Sequence, residues 1–243
     1  MADLQKSVEQ SGYAVVENIY AEEEIIALST LLTAHTNRSE ATFRKTSDLF
    51  AIRQVLKEIP ELLPLLFNDR LRNIITHYFG NDYFIVKSIY FDKPARSNWF
   101  VAYHQDLTIA VDARINLKGF GPWTIKQNQF AVQPPVDILE RNFTIRIHLD
   151  DTDENNGALR VLPQSHLKGI VRPETINLKE EKETICTIKK GGIMIMKPLL
   201  MHASSRTTNE MCRRVIHIEL SNVELPDGLQ WSERPIRNSQ WST

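Results

Sequence analysis

Beyond Gly80 the chain is cut into short runs rich in Ile, Val, Phe and Tyr: Tyr83 to Phe91, Trp99 to His104, Phe143 to Leu149, Ala158 to Leu162, Thr184 to Ile188, Ile193 to Lys197 and Arg213 to Leu220. Asn155-Asn156-Gly157 and Gly191-Gly192, which tolerate positive φ, and Pro94, Pro163 and Pro198 mark the breaks between them. Strands this short, punctuated this often, predict an antiparallel β-sandwich or barrel. A different pattern precedes them. Ile25, Leu28 and Leu32 recur at helical spacing behind the acidic turn Glu22-Glu23-Glu24, after a short β-rich run from Tyr13 to Glu17. A second helical region is read from Ser47 to Phe79, interrupted by Pro60 and Pro64 and closed by Gly80. The expectation is a mainly β chain with flanking helices packed on one face.

One domain over residues 1–243 is the economical division, with a helical part at 1–80, a β core at 81–222 and a C-terminal tail at 223–243. The segment from Leu107 to Arg141 shows no clean strand signal; a loop that long inside one domain is either functional, as a lid, or not a loop throughout.

With 29 Lys+Arg against 30 Asp+Glu, the chain carries no broad positive field to hold nucleic acid or an anionic membrane. Asp3, Lys6, Glu9 and Glu17 interrupt the first twenty residues, and no apolar run reaches the length of a membrane span. Cys186 and Cys212 stand apart with no Cys-x-x-Cys around them, so a disulfide framework and a zinc site are both disfavoured. A cytoplasmic protein is expected.

Two of the seven histidines open a His-x-Asp, at His104-Gln105-Asp106 and His148-Leu149-Asp150. Residues i and i+2 of a strand share a face, so either pair can present an imidazole and a carboxylate to one metal ion. Two histidines and one carboxylate leave three coordination positions open, as a non-haem Fe(II) oxygenase requires. His202 is a distal histidine beyond Pro198, and Arg213 opens the following strand; an arginine fork suits a carboxylate. Spacing alone does not choose between the two His-x-Asp pairs.

These stretches resemble a known family. His104-Gln105-Asp106-Leu107, Leu149-Asp150-Asp151 through Glu154-Asn155-Asn156-Gly157, Leu162-Pro163-Gln164-Ser165-His166, and His202 with Arg213 are similar to the phytanoyl-CoA dioxygenase family of Fe(II)/2-oxoglutarate oxygenases, as is the opening Gly12-Tyr13-Ala14-Val15-Val16. The resemblance covers nearly the whole chain. It implies a double-stranded β-helix, the cupin-like jelly roll, with the N-terminal helices on one sheet. It implies His104, Asp106 and His202 as iron ligands and Arg213 as partner of the distal carboxylate of 2-oxoglutarate, and it makes His148-Leu149-Asp150 an ordinary strand end. Lys93 resembles a position that contacts 2-oxoglutarate. Thr144, Arg146 and His148 alternate with apolar residues and form a polar inner face, which makes Thr144 a candidate for cosubstrate contact and Arg146 and His148 for substrate contact. Trp123 is a candidate lid aromatic, with packing as its default role.

Where the family has Pro-Gly-Ser-His, this chain has Pro163-Gln164-Ser165-His166, in what reads as a structural turn. Asp106 is intact, which disfavours the related halogenation chemistry. The implied activity is hydroxylation of a C–H bond of a small molecule with 2-oxoglutarate and O2 as cosubstrates, releasing succinate and CO2. Desaturation, ring closure or demethylation by the same chemistry, and a non-catalytic jelly-roll or cupin binding protein, are the alternatives. A monomer is the default for one compact domain, with a dimer left open.

Overall fold

The computed structural model describes residues 3–36, 42–47, 50–126 and 129–234. Helix α1 (Asp3–Ser11) leads into strand β1 (Tyr13–Val16) and helix α2 (Glu22–His35). The Glu24 carboxylate accepts the Ala21 backbone N–H at 2.7 Å, satisfying a donor that the first turn of α2 leaves without a helical partner. Strands β2 (Phe43–Lys45) and β3 (Phe50–Arg53) precede helices α3 (Val55–Glu58), α4 (Leu62–Leu66) and α5 (Asp69–Tyr78). Gly80 ends α5 as expected, with φ +95° and its N–H donating to the Ile75 carbonyl at 3.1 Å. The remaining elements are β4 (Phe84–Lys93), β5 (Val101–His104), β6 (Ile109–Val111), β7 (Trp123–Lys126), β8 (Gln129–Val132), α6 (Val136–Glu140), β9 (Phe143–His148), β10 (Leu159–Val161), β11 (Thr184–Ile185), β12 (Ile193–Met196), β13 (His202–Ser204) and β14 (Arg213–Ser221).

The strands form a seven-stranded sheet in the order β1-β12-β9-β14-β4-β3-β2, a four-stranded sheet β11-β10-β13-β5, and a three-stranded sheet β6-β8-β7. Every pairing is antiparallel, and the fold is the jelly roll. Side-chain alternation explains the layers. On β9, β12 and β14, Ile145, Ile147, Ile193, Ile195, Ile216 and Ile218 point to one face and join Ile25, Leu28, Leu62, Leu66 and Leu71 of the helices in the main core. From the opposite face, Met194 and Met196 meet Leu159 and Val161 of the four-stranded sheet. Phe84 and Val86 pack instead with Ile109, Val132 and Trp231 at the other end of the molecule. Between these two inner clusters lies the cavity, lined by Lys87, Ile89 and Phe91 of β4, Arg146 of β9, and Arg213 and His217 of β14.

Three sequence expectations require correction. Phe50–Arg53 is a strand rather than helix: Ile52 faces Tyr90 and Phe50 faces Asp92 across β3 and β4, and this pairing overrides a short apolar run whose period is ambiguous. Residues 48–49 of that region lie outside the described residues. The 1–80 segment thus adds three strands to the large sheet as well as helices. The stretch from Leu107 to Arg141 is no structureless loop, since β6, β7 and β8 fold within it. The C-terminal segment is not a loose tail either. Leu229 and Trp231 are fully buried, and the Trp231 indole N–H donates to the Val223 carbonyl at 2.7 Å; residues 235–243 lie outside the described residues.

The same segment carries a buried carboxyl. Glu233 accepts the Ser88 backbone N–H at 2.8 Å and the Ser88 hydroxyl at 2.5 Å, and Ser88 Oγ accepts the Leu56 N–H at 3.0 Å. Burial outweighs these bonds and pushes Glu233 from 4.5 up to about 7. The folded chain therefore holds this proton more tightly than the unfolded one, and stability falls as pH rises between about 4.5 and 7. Glu233→Gln is expected to flatten that part of the profile, as read from urea unfolding at a series of pH values.

Gln164 sits at φ +69°, a left-handed conformation that costs a residue with a Cβ, while its backbone N–H binds the Ser11 carbonyl at 3.1 Å. Its side chain is exposed. Gln164→Gly is expected to stabilise the fold by about 1 kcal/mol, measured by chemical denaturation. The neighbouring His166 is buried, and its Nε2–H donates to the Glu9 carbonyl at 2.9 Å, tying α1 to the body.

Candidate active site

His104 ends β5 and His202 begins β13, and the two strands pair with these residues directly opposite. The rings stand 4.2 Å apart between centroids. Asp106 lies just beyond β5, with its N–H bonded to the Pro198 carbonyl at 2.9 Å. Its Oδ1 is 3.9 Å from His104 Nε2 and its Oδ2 is 3.9 Å from His202 Nε2. Between the two ligands Gln105 faces away and is pinned: its amide donates to Leu199 O at 2.6 Å and Gly169 O at 2.8 Å, and accepts from Val171 N at 2.8 Å.

Each histidine uses Nδ1–H on a backbone carbonyl, His104 to Ala102 at 2.9 Å and His202 to Leu200 at 2.8 Å. Both Nε2 lone pairs are thereby turned toward Asp106, the tautomer a metal ligand needs. Burial, helped by His104, pushes the His202 imidazole down to about 4 against the pull of Asp106, so it is neutral near pH 7. Burial also works against the Asp106 carboxylate, but His202, His217, Lys87 and His104 together hold it below the usual carboxylate range.

A second trio, Asp106, His217 and Glu219, is equally compact. Its bonding excludes it as a metal set. Arg146 Nη1 donates to His217 Nδ1 at 3.1 Å, so His217 carries its proton on Nε2 and donates it to Glu219 at 3.1 Å, leaving no nitrogen lone pair. Lys87 Nζ lies 2.5 Å from the same Glu219 carboxylate. His104, Asp106 and His202 remain as the donor set, with the two imidazoles and one carboxylate that suit ferrous iron.

These ligands open on a cavity of about 210 Å³ between the two larger sheets. Arg213 lines it, is 2% exposed, and has Nε and Nη1 without a hydrogen-bond partner. Burial and the nearby Arg146 push its guanidinium down to about 9. Such a group lacks an anion, and the planar fork fits a carboxylate. Lys93 is opposite Arg213 across β4 and β14, fully buried, and donates to the Ser205 carbonyl. Burial and Arg213 push its ammonium down to about 7. A Cβ on Gly157 would come within 2.6 Å of Lys93 Nζ and 2.7 Å of Ser205 O, so this turn needs glycine for space as well as for its φ of +86°.

The other sequence candidates separate. Arg146 lines the cavity through the His217 contact, and its Nε has no partner. His148 is opposite Val215 and binds Thr152 Oγ1 at 2.8 Å; burial, Arg146 and Arg213 all push its pKa well down. Thr144 is not brought to Arg213: the register sets it opposite Glu219, near the far end of β14. Trp123 is not brought to the cavity either. It packs with the β6 and β8 cluster, with Arg114 over its ring at 6.0 Å. Sequence reasoning missed Arg53, Lys87, Lys126, His217 and Glu219. Alternation along Arg213, Val215, His217 and Glu219 was the available signal for the last two.

Residues 8–215 match the model of the phytanoyl-CoA dioxygenase family. The chain belongs to that family. The ectoine dioxygenase of Bordetella bronchiseptica is 21% identical over 254 residues, covering 92% of this chain and 76% of that protein. Among solved structures, EctD from S. alaskensis with 2-oxoglutarate and 5-hydroxyectoine superposes with a TM-score of 0.70 at 17% identity, over 91% of this chain and 76% of that one. The 2-oxoglutarate-dependent carbocyclase SnoK from nogalamycin biosynthesis gives 0.67 at 15% identity, over 91% and 83%. Like these neighbours, this phytanoyl-CoA dioxygenase family member is a jelly roll. None of its described helices is long and apolar enough to cross a membrane.

Proposed function

We propose that this chain is an Fe(II)/2-oxoglutarate-dependent dioxygenase that hydroxylates a C–H bond of a small molecule, releasing succinate and CO2. The observation that carries the reading is the buried Arg213 fork, unpartnered at Nε and Nη1, in the same cavity as His104, Asp106 and His202. When bound, the iron with its 2-oxo acid and O2 supplies the oxidising power. The protein's own part is placement. His104 and His202 present fixed Nε2 atoms, Asp106 adds a carboxylate kept ionised by its neighbours, and Arg213 holds the far carboxylate with Lys93 beside it. Burial of His202, Arg213 and Lys93 keeps water from competing for those three groups.

The two free cysteines fit a reducing, cytoplasmic compartment. Asp106→Ala is expected to reduce O2-dependent succinate formation from 2-oxoglutarate to the background of metal-free protein, measured by succinate release; full retention would refute the ligand assignment. Desaturation, demethylation or ring closure would use the same residues, and product mass separates them from gain of one oxygen atom.

A further inference from the structure

The turn at Pro163-Gln164-Ser165-His166, which the proposed chemistry leaves unused, closes on the segment that carries His202. Pro198 to Met201 are buried, and each of these four residues has a backbone group in a bond. The Pro198 carbonyl accepts the Asp106 N–H at 2.9 Å, and the Leu199 carbonyl accepts the Gln105 amide at 2.6 Å. The Leu200 carbonyl accepts His202 Nδ1–H at 2.8 Å. Met201 donates its N–H to Ser165 Oγ at 2.8 Å, and its carbonyl accepts the Leu162 N–H at 3.0 Å.

The turn grips the other two ligands as well. Ser165–Lys168 is one turn of 3-10 helix, and just beyond it the Gly169 carbonyl and the Val171 N–H both bind the Gln105 amide at 2.8 Å. Gln105 stands between His104 and Asp106 in sequence, so one end of the 162–171 segment holds the backbone before His202 and the other holds the residue between the remaining ligands. The segment is itself moored to α1 by Gln164 N–H on the Ser11 carbonyl and by His166 on the Glu9 carbonyl.

Gln105 is 7% exposed and spends both amide N–H groups and one oxygen lone pair on backbone. A planar amide bonded at three points has one orientation, and it fixes the chain on either side of it. The outcome is seen in the triad, where Asp106 stands 3.9 Å from both Nε2 atoms. We propose that Gln105 and Ser165 are positioning residues that set the spacing of His104, Asp106 and His202 in advance, with the 162–171 segment as the brace. The inference rests on the ligand assignment of the oxygenase reading and extends it to two side chains that are not themselves metal ligands. Ligands fixed in advance need no ordering when the ion arrives, so loosening the brace weakens the ion's binding.

The test uses the full chain and Co(II), whose visible bands respond to the number and arrangement of its ligands. Gln105→Met keeps the side-chain length and removes the amide; Ser165→Ala removes one hydroxyl. Calorimetric titration is expected to show Co(II) binding weakened about tenfold or more in each variant, with altered visible bands. Urea unfolding is followed alongside, because a merely structural role lowers the midpoint while the folded variant keeps the affinity and bands of the wild type. Wild-type affinity and bands in a folded variant overturn the assignment of that residue and leave the oxygenase reading standing. If Gln105→Met does not fold, Ser165→Ala, the smaller change, decides. A wild-type chain that binds no Co(II) overturns the ligand assignment, and this inference with it.

Discussion

Arg213→Ala is expected to raise the dissociation constant for 2-oxoglutarate about 100-fold or more, roughly 3 kcal/mol, while leaving Fe(II) binding within a factor of about two. The size follows from burial. Arg213 is enclosed at 2% exposure with Nε and Nη1 unsatisfied, so a bound carboxylate gains charge-assisted bonds in a site where water competes poorly. The selectivity follows from position. Arg213 lies on the seven-stranded sheet, whereas His104 and His202 pair on the four-stranded one and Asp106 is anchored to Pro198. Arg213→Lys should recover only part of the loss, because an ammonium lacks the planar fork. Calorimetric titration of the anaerobic Fe(II) protein with 2-oxoglutarate measures both effects. An Arg146→Ala variant is a useful contrast: Arg146 already donates to His217, so its removal should disturb the His217–Glu219 pair more than cosubstrate affinity.

Phe143→Ala is expected to cost about 3–5 kcal/mol of folding stability, a large share of the roughly 5–15 kcal/mol a domain possesses. Phe143 is 1% exposed, stacks on Phe79 at 4.0 Å and 19°, and meets Tyr83 at 4.8 Å. Removing the ring leaves a cavity where the turn after α5 is clamped to the large sheet. Because β9 carries Phe143 on its helix face and Arg146 on its cavity face, loss of packing on one side should loosen the polar network on the other. Urea unfolding followed by far-UV circular dichroism gives the stability, and the expected result is a lower midpoint with an unchanged slope.

The longer strands were legible because they are alternating or continuous apolar runs bounded by glycine and proline; β4, β9, β12 and β14 each fall within a residue or two of expectation. The elements that escaped are those held by tertiary pairing. Strand β13 has only three residues, His202–Ser204, and exists because β5 and β10 flank it. Strand β3 is likewise defined by its partner β4. Strand alternation marked Arg146 as inward, and the structure puts it in the cavity. It could not say how far along β14 each inward residue of β9 would fall, and register alone separates Thr144 from Arg213. Lys87, Arg53 and Lys126 come from three strands far apart in sequence, so nothing local announced that they converge. Of the two His-x-Asp pairs, His148-Leu149-Asp150 is spoken for by bonds: His148 holds Thr152, and Asp150 holds Arg214 at 2.6 Å.

The central claim is that the triad and Arg213 form one iron and 2-oxoglutarate site. Its most direct test is anaerobic titration of the metal-free protein with Fe(II) and then 2-oxoglutarate, watching the visible charge-transfer band of an iron-chelated 2-oxo acid. The account predicts a band in the wild type, lost in His202→Ala and reached only at far higher cosubstrate in Arg213→Ala. A folded protein that binds Fe(II) yet gives no band at saturating 2-oxoglutarate would contradict it.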